Sequence, residues 1–200
     1  MRVKSEAKRA SIVLAARAVF LEKGFEASTM ADIALSAGAS KATLYSYFPS
    51  KDALFHEVMD QHCAARFAGA FGNLQFDGDL AASLNAFGQS LMTTLLSPDL
   101  VAIRRSVFAE ANRSHVGRLF YQDGPLRGMT LLSHFLQGQM AAGRLRAHDP
   151  WVAARHLLSL LEGDYPLRAI LGVPLATEAD ELARHVQQAV DLFLRGYAPA

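Results

Sequence analysis

Apolar residues recur along this chain at the three-and-four spacing of a helix face, and almost nowhere at the alternation of a strand. Ile12, Ala15, Ala16, Val19 and Phe20 form one such stripe and Gly24 follows as a left-handed stop, which predicts a first helix near 5–23. Thr29 and Asp32 have capping-box spacing and open a short second helix at about 30–37. Gly38 and Ala39 interrupt it, Ser40 caps a third helix at 41–47, Pro49 ends that one, and Ser50 restarts a longer helix at Lys51. Leu80, Leu84, Phe87, Leu91 and Leu95 make the next stripe. Further helices are expected near 98–112, in a short turn near 114–122, from Gly124-Pro125 to about 142, at 150–171 and at 178–195. Asp149 caps the penultimate segment, in which Pro166 should kink or break the helix, and Thr177 with Asp180 caps the last. The chain reads as all-α, with about nine helices: a three-helix N-terminal unit and a larger helical bundle.

Composition narrows the class without naming a function. Residues of the AVILMFWYC set make up 51% of the 200 residues and charged residues 20%, which excludes a disordered or collagen-like chain. Cys63 is the only cysteine, so a disulfide framework and a multi-thiolate zinc site are excluded, and a reducing, cytoplasmic setting fits. Without an apolar run long enough to span a bilayer, no membrane partner is expected.

The net charge of +1 becomes informative when divided along the chain. Residues 1–51 carry Arg2, Lys4, Lys8, Arg9, Arg17, Lys23, Lys41 and Lys51 against four acids, a balance of +4, whereas the remainder balances at −3. All five lysines lie in the first 51 residues. Such asymmetry points one end of the chain towards a polyanion, because neutralisation of phosphates by Lys and Arg is the main source of nucleic-acid affinity.

Two short helices around a Gly-containing turn, inside that basic stretch, have the form of a helix-turn-helix. In this motif the N-terminal part of the second helix meets base edges in the major groove. Lys41, Ala42, Thr43, Tyr45 and Ser46 are therefore expected outward, with Leu44 and Phe48 inward. Thr29, Ser40, Tyr47 and Lys51 complete the candidate DNA-contacting set. Lys51, in the first turn of its helix, gains nothing from the helix dipole and would be explained by a phosphate.

Residues 12–54, IVLAARAVFLEKGFEASTMADIALSAGASKATLYSYFPSKDAL, resemble the DNA-binding domain of the TetR family of bacterial transcriptional regulators. The resemblance rests on Ala16, Phe20, Gly24-Phe25, Ser28-Thr29, Ile33-Ala34, Ala37-Gly38, Ser40-Lys41, Leu44-Tyr45, Tyr47-Phe48 and Ser50-Lys51, at the family's spacing and without insertion. Ala42 departs from it, standing where glycine is common. Residues 104–125, RRSVFAEANRSHVGRLFYQDGP, with Leu161-Glu162-Gly163-Asp164, resemble the regulatory domain of AefR-like members.

The resemblance implies a DNA-binding domain at 1–51 and a regulatory, dimerising domain at 52–200. It implies a homodimeric repressor on palindromic double-stranded DNA, released by a small-molecule effector, with neither an enzymatic activity nor a cofactor. An activator, or a ligand-independent DNA binder of the same fold, is the alternative. Phe67, Phe71, Phe87, Phe108, Phe120, Tyr121 and Phe135 are the candidate pocket lining, with Trp151 as a further aromatic. Leu157, Leu161, Leu182, Val186, Val190 and Phe193, on the last two expected helices, are the candidate dimer interface.

The remaining chemistry favours no enzyme. All seven histidines lie after residue 55, no pair has one-face metal-ligand spacing, and they read as surface or hydrogen-bonded side chains. Cys63 reads as a small buried hydrophobe. A helical-bundle enzyme would need a convergent acid, base or nucleophile cluster, and the sequence offers none.

Overall fold

The computed structural model describes residues 5–175 and 179–199, apart from the side chains of residues 62–66 and 179. Arg2, Lys4, the His62-Cys63 pair and the expected Thr177 cap thus lie outside the described residues. Eleven α-helices and no strand make up the described residues. They are α1 (Glu6–Lys23), α2 (Met30–Ser36), α3 (Lys41–Tyr47), α4 (Lys51–Gly72), α5 (Leu80–Leu95) and α6 (Pro98–Glu110). After these come α7 (Val116–Tyr121), α8 (Arg127–Ala141), α9 (Pro150–Glu162), α10 (Tyr165–Leu171) and α11 (Ala179–Gly196).

Two prolines explain where the helix pattern differs from expectation. The expected helix at 150–171 is two helices. Gly163, at φ +50°, closes α9, and Pro166 falls in the first turn of α10, where its missing N–H would have had no intrahelical acceptor. Pro125 lies in a wider turn, Gln122–Leu126, that joins α7 to α8. An i→i+5 pattern absorbs a residue that cannot donate to the ordinary ladder.

The chain packs as two compact units. The first comprises residues up to Ala64 and Ala102–Gly124, and the second Ala65–Val101 with Pro125 to the C-terminus. In the first unit, Ile12, Ala16, Ile33, Leu44 and Leu54 are fully buried, and the rings of Phe20, Phe25 and Phe55 meet with centroids 5.1–5.6 Å apart. Such tilted and edge-on pairs add to the apolar burial of each ring. A cavity of about 20 Å³ among Arg17, Phe20, Phe55, Met59, Ile103 and Val107 has room for about one water.

In the second unit, α9 packs on α8 and α11, and α11 packs on α5. Leu84, Phe87 and Met92 of α5, Leu132 and Leu136 of α8, Leu157 and Leu161 of α9, and Val186 and Val190 of α11 are all wholly buried. Gly88 lets α5 approach closely. A Cβ there would stand 2.7 Å from both Leu161 Cδ2 and Val186 Cγ1.

Candidate nucleic-acid interface

The two short helices of the motif are set by side chains that cap them. Thr29 accepts the Asp32 N–H at 3.1 Å, and Asp32 accepts both the Thr29 N–H at 3.0 Å and its hydroxyl at 2.6 Å, a reciprocal box. Lys23 donates to the same carboxylate at 2.7 Å. The Lys23 hydrogen bond first, and the two Thr29 bonds after it, hold Asp32 down at about 2. Gly38, at φ +55°, turns the chain between α2 and α3. Ser40 then caps α3 by accepting the Thr43 N–H at 3.0 Å.

Leu44, wholly buried, and Phe48, nearly so, anchor α3 and leave its other face to solvent. Lys41, Ala42, Tyr45 and Ser46 are exposed there, with Tyr45 51% accessible. Thr43 is half-buried, its hydroxyl 2.9 Å from that of Ser40, and Ser46 donates to the Thr43 carbonyl at 2.7 Å. Tyr47 Oη accepts the Ser5 N–H at 2.9 Å. The expected outward set is thus brought together on one short helix, with Thr29 exposed at the start of the preceding one.

Lys51 is a correction. Its ammonium donates to the carbonyls of Phe25 (2.7 Å), Glu26 (3.2 Å) and Ser28 (3.0 Å), and lies over the Phe25 ring at 4.4 Å. Three donors meet three carbonyls, so no hydrogen is left for a phosphate oxygen. Lys51 fixes the α1–α2 loop.

Other cations of the basic end are likewise engaged within the protein. Lys8 Nζ donates to the Ala37 and Gly38 carbonyls at 2.9 and 3.3 Å, fastening the turn of the motif to α1. Arg9 makes a bidentate pair with Glu57 of α4 and lies 5.3 Å from the Phe48 ring centroid. That guanidinium holds the Glu57 carboxyl below the usual carboxylate range. Glu110 of α6, which the sequence reading did not single out, accepts the Glu26 N–H at 2.8 Å. It also lies against Gly24, where a Cβ would come within 1.9 Å of its Oε1. Lys8 and Glu110 act on partners 29 and 84 residues away, distances at which a sequence pattern carries no signal.

The candidates outside the motif are more dispersed. In the second unit Phe71 meets Phe87 at 5.2 Å between centroids, Phe87 is wholly buried, and Phe67 and Phe135 pack partly buried against the same core. Phe108 and Tyr121 are about half exposed and Phe120 is half-buried, all in the first unit. Trp151 is half-buried in α9. Leu157, Leu161, Val186, Val190 and Phe193 fill the core within a single chain, with Leu182 partly buried against it. This corrects the assignment of the five enclosed side chains to a dimer interface, since they have no surface to offer a second copy, whereas Leu182 keeps part of its own. Among the described residues, no helix is long and apolar enough to cross a membrane and no group of three His, Cys, Asp or Glu side chains could hold a metal ion.

Comparison with known proteins agrees with this geometry. Residues 12–58 match the family model of bacterial regulatory proteins of the tetR family, and residues 82–199 match the C-terminal domain of AefR-like transcriptional repressors. A TetR-family transcriptional regulator from Mesorhizobium loti is 29% identical and superposes with a TM-score of 0.83 over 98% of this chain and 100% of that one. The flavonoid-responsive regulator FrrA is 34% identical, with a TM-score of 0.82 over 98% of this chain and 99% of its own. The transcriptional regulator UidR of Escherichia coli K12 is 35% identical over 97 residues, 44% of this chain. The match spans only 50% of the length of UidR and 41% of that of the activator FasR of Mycolicibacterium smegmatis. The helix-turn-helix of α2 and α3, matched over residues 12–58, and a C-terminal match covering more than half the chain place this protein in the TetR family of transcriptional regulators.

Proposed function

We propose that the chain is a ligand-responsive repressor that binds a palindromic operator as a homodimer, with residues 1–51 meeting DNA and 52–200 serving regulation and dimerisation. The observation that carries this reading is the exposed face of α3, where Lys41, Ala42, Tyr45 and Ser46 stand clear of a helix anchored by Leu44 and Phe48. Lys41 suits a phosphate or a guanine edge, and the Ala42 methyl suits the methyl of thymine. Two copies related by a two-fold axis would set their α3 helices about 34–36 Å apart on successive major grooves.

With the inward faces of α9 and α11 spent on the core, the surface for the second copy is assigned to the apolar side chains that α10 and α11 leave exposed. These are Leu167 (58% accessible), Leu171 (68%) and Leu192 (58%). The effector is taken to be a small aromatic molecule of the flavonoid kind, since the similar regulator FrrA is named flavonoid-responsive. Its site is assigned to the cluster of Phe67, Phe71, Phe87 and Phe135, and the effector must prefer the state that does not fit DNA. Moving a 1:99 equilibrium to 99:1 requires about 5.5 kcal/mol of such preference.

The test is selection of duplexes from a random-sequence pool by the purified chain, followed by titration of the selected duplex complex with a panel of flavonoids. An inverted repeat in the selected sequences and release by at least one flavonoid are expected. A pool with no enriched sequence would remove the reading, and enrichment without release by any compound would remove its ligand-responsive part.

A further inference from the structure

The charge that reaches α3 is small for a DNA-binding surface. Among the described cations of residues 5–51, Lys8, Arg9, Lys23 and Lys51 bind acceptors of the protein itself and Arg17 lines the internal cavity, which leaves Lys41 exposed. Counterion release needs one cation for each neutralised phosphate.

Cations with no such engagement stand elsewhere in the same unit. The α1–α2 loop and the connection between α6 and α7 border an open concavity of about 740 Å³ that includes Lys51, Arg113, Arg118, His115 and Glu26. Arg113 and Arg118 are exposed, and neither guanidinium has a hydrogen-bond or ion-pair partner among the described residues. The acids nearby are mostly turned to other work. Asp52 lies 2.9 Å from His115 Nε2, Glu110 accepts the Glu26 N–H, and the Glu26 carboxylate is the acid that lines the concavity itself. Three cations therefore face one carboxylate, around a space large enough for a phosphodiester.

The position of this concavity identifies the anion. Lys51, on its wall, donates to the carbonyl of Ser28, the residue before the Thr29 cap of α2. In a helix-turn-helix the first helix of the motif crosses the sugar–phosphate backbone. The concavity thus adjoins the N-terminal end of α2, the helix that crosses that backbone in this motif.

We propose that Arg113 and Arg118 clamp a DNA phosphate just outside the half-site read by α3, so that the α6–α7 connection contributes directly to operator affinity. This rests on the DNA-binding reading above and extends it, adding Arg113 and Arg118 to Lys41 among the described cations of the first unit.

The experiment uses the full chain, the duplex that the wild-type chain selects, and Arg113→Gln with Arg118→Gln introduced together. Both positions are exposed, so the thermal transition should not move. The slope of log Kd against log salt should fall in magnitude by about 0.9 per chain, or about 1.8 for a dimer, since one phosphate per chain is clamped. Arg113→Lys with Arg118→Lys should keep most of the wild-type slope, and trimming about four base pairs from each flank of the duplex should abolish the difference between wild type and the Gln variant. An unchanged slope overturns the clamp, as does a difference that survives trimming. Binding of inorganic phosphate or pyrophosphate that the Gln variant loses, with its DNA slope intact, would make the concavity a small-anion site and also overturn the proposal. If the wild-type chain selects no duplex, the DNA-binding reading itself fails, an outcome distinct from any of these.

Discussion

The two units are held together by different physics. In the first, polar side chains reach across helices to backbone groups: Lys8 to the turn of the motif, Lys51 to the α1–α2 loop, and Glu110 to the same loop from α6. In the second, the core of α5, α8, α9 and α11 is interdigitated aliphatic and aromatic side chains, closed so tightly at Gly88 that a methyl group has no room. A helix as short as α3 buries little apolar surface, since Leu44 is its only fully enclosed side chain. Its position has to come from directional bonds to neighbouring segments. The bundle obtains its order from volume, and the two units should therefore fail under different perturbations.

The largest expected effect is in the second unit. Val190→Asp would place a carboxylate among wholly buried apolar side chains with no partner, which costs several kcal/mol and is comparable with the whole stability of a domain. Loss of the cooperative thermal transition is expected. A folded monomer, which an interface role for Val190 would give, would contradict the packing described here. Gly88→Ala should cost about 1–3 kcal/mol by overpacking against Leu161 and Val186, seen as a lower urea midpoint at unchanged slope.

The first unit should separate stability from DNA affinity at two lysines. Lys51→Met leaves three loop carbonyls without their donor and should cost about 1–3 kcal/mol, while the salt slope of DNA binding stays at the wild-type value. Lys41→Ala, on an exposed side chain, should leave the melting temperature where it is and lower the slope by about 1 per chain. If the two variants exchanged these behaviours, the assignment of Lys51 to the loop and of Lys41 to DNA would both be wrong.

The same contrast explains what the sequence disclosed. The helices of the motif were legible because their determinants are local: Thr29 acts on Asp32 and Ser40 on Thr43, each three residues away, and Gly38 marks the turn. The stripe of Val186, Val190 and Phe193 was legible as a buried face, but periodicity does not say whether a face is buried by its own chain or by a second one. The charge of the first 51 residues misled for a related reason. A count of lysines cannot see that Lys8 and Lys51 find carbonyls 29 and 23–26 residues away, nor that Arg9 finds Glu57. The break expected at Pro166 is made instead by Gly163, which ends α9, and Pro166 lies in the first turn of α10, where it interrupts nothing.

The smallest predicted effect concerns the capping box, and it is specific to the first unit. Asp32 is held at about 2 by Lys23 and by both polar groups of Thr29, well below the roughly 3.9 of an unfolded aspartate. A depressed folded value means that the ionised cap favours the folded state above about pH 4, and that this contribution is lost as pH falls from about 4 towards 2. The side-chain carboxyl carbon of Asp32 should therefore titrate with a midpoint near 2 by NMR. Because Lys23 is its largest influence, Lys23→Met should raise that midpoint, and added salt should raise it in the wild type, since the pair is exposed to solvent. A wild-type midpoint near 4 would mean that the box does not form. The start of α2 would then be set by the Lys51-bound loop alone, and the local and long-range determinants of the motif would have to be weighed again.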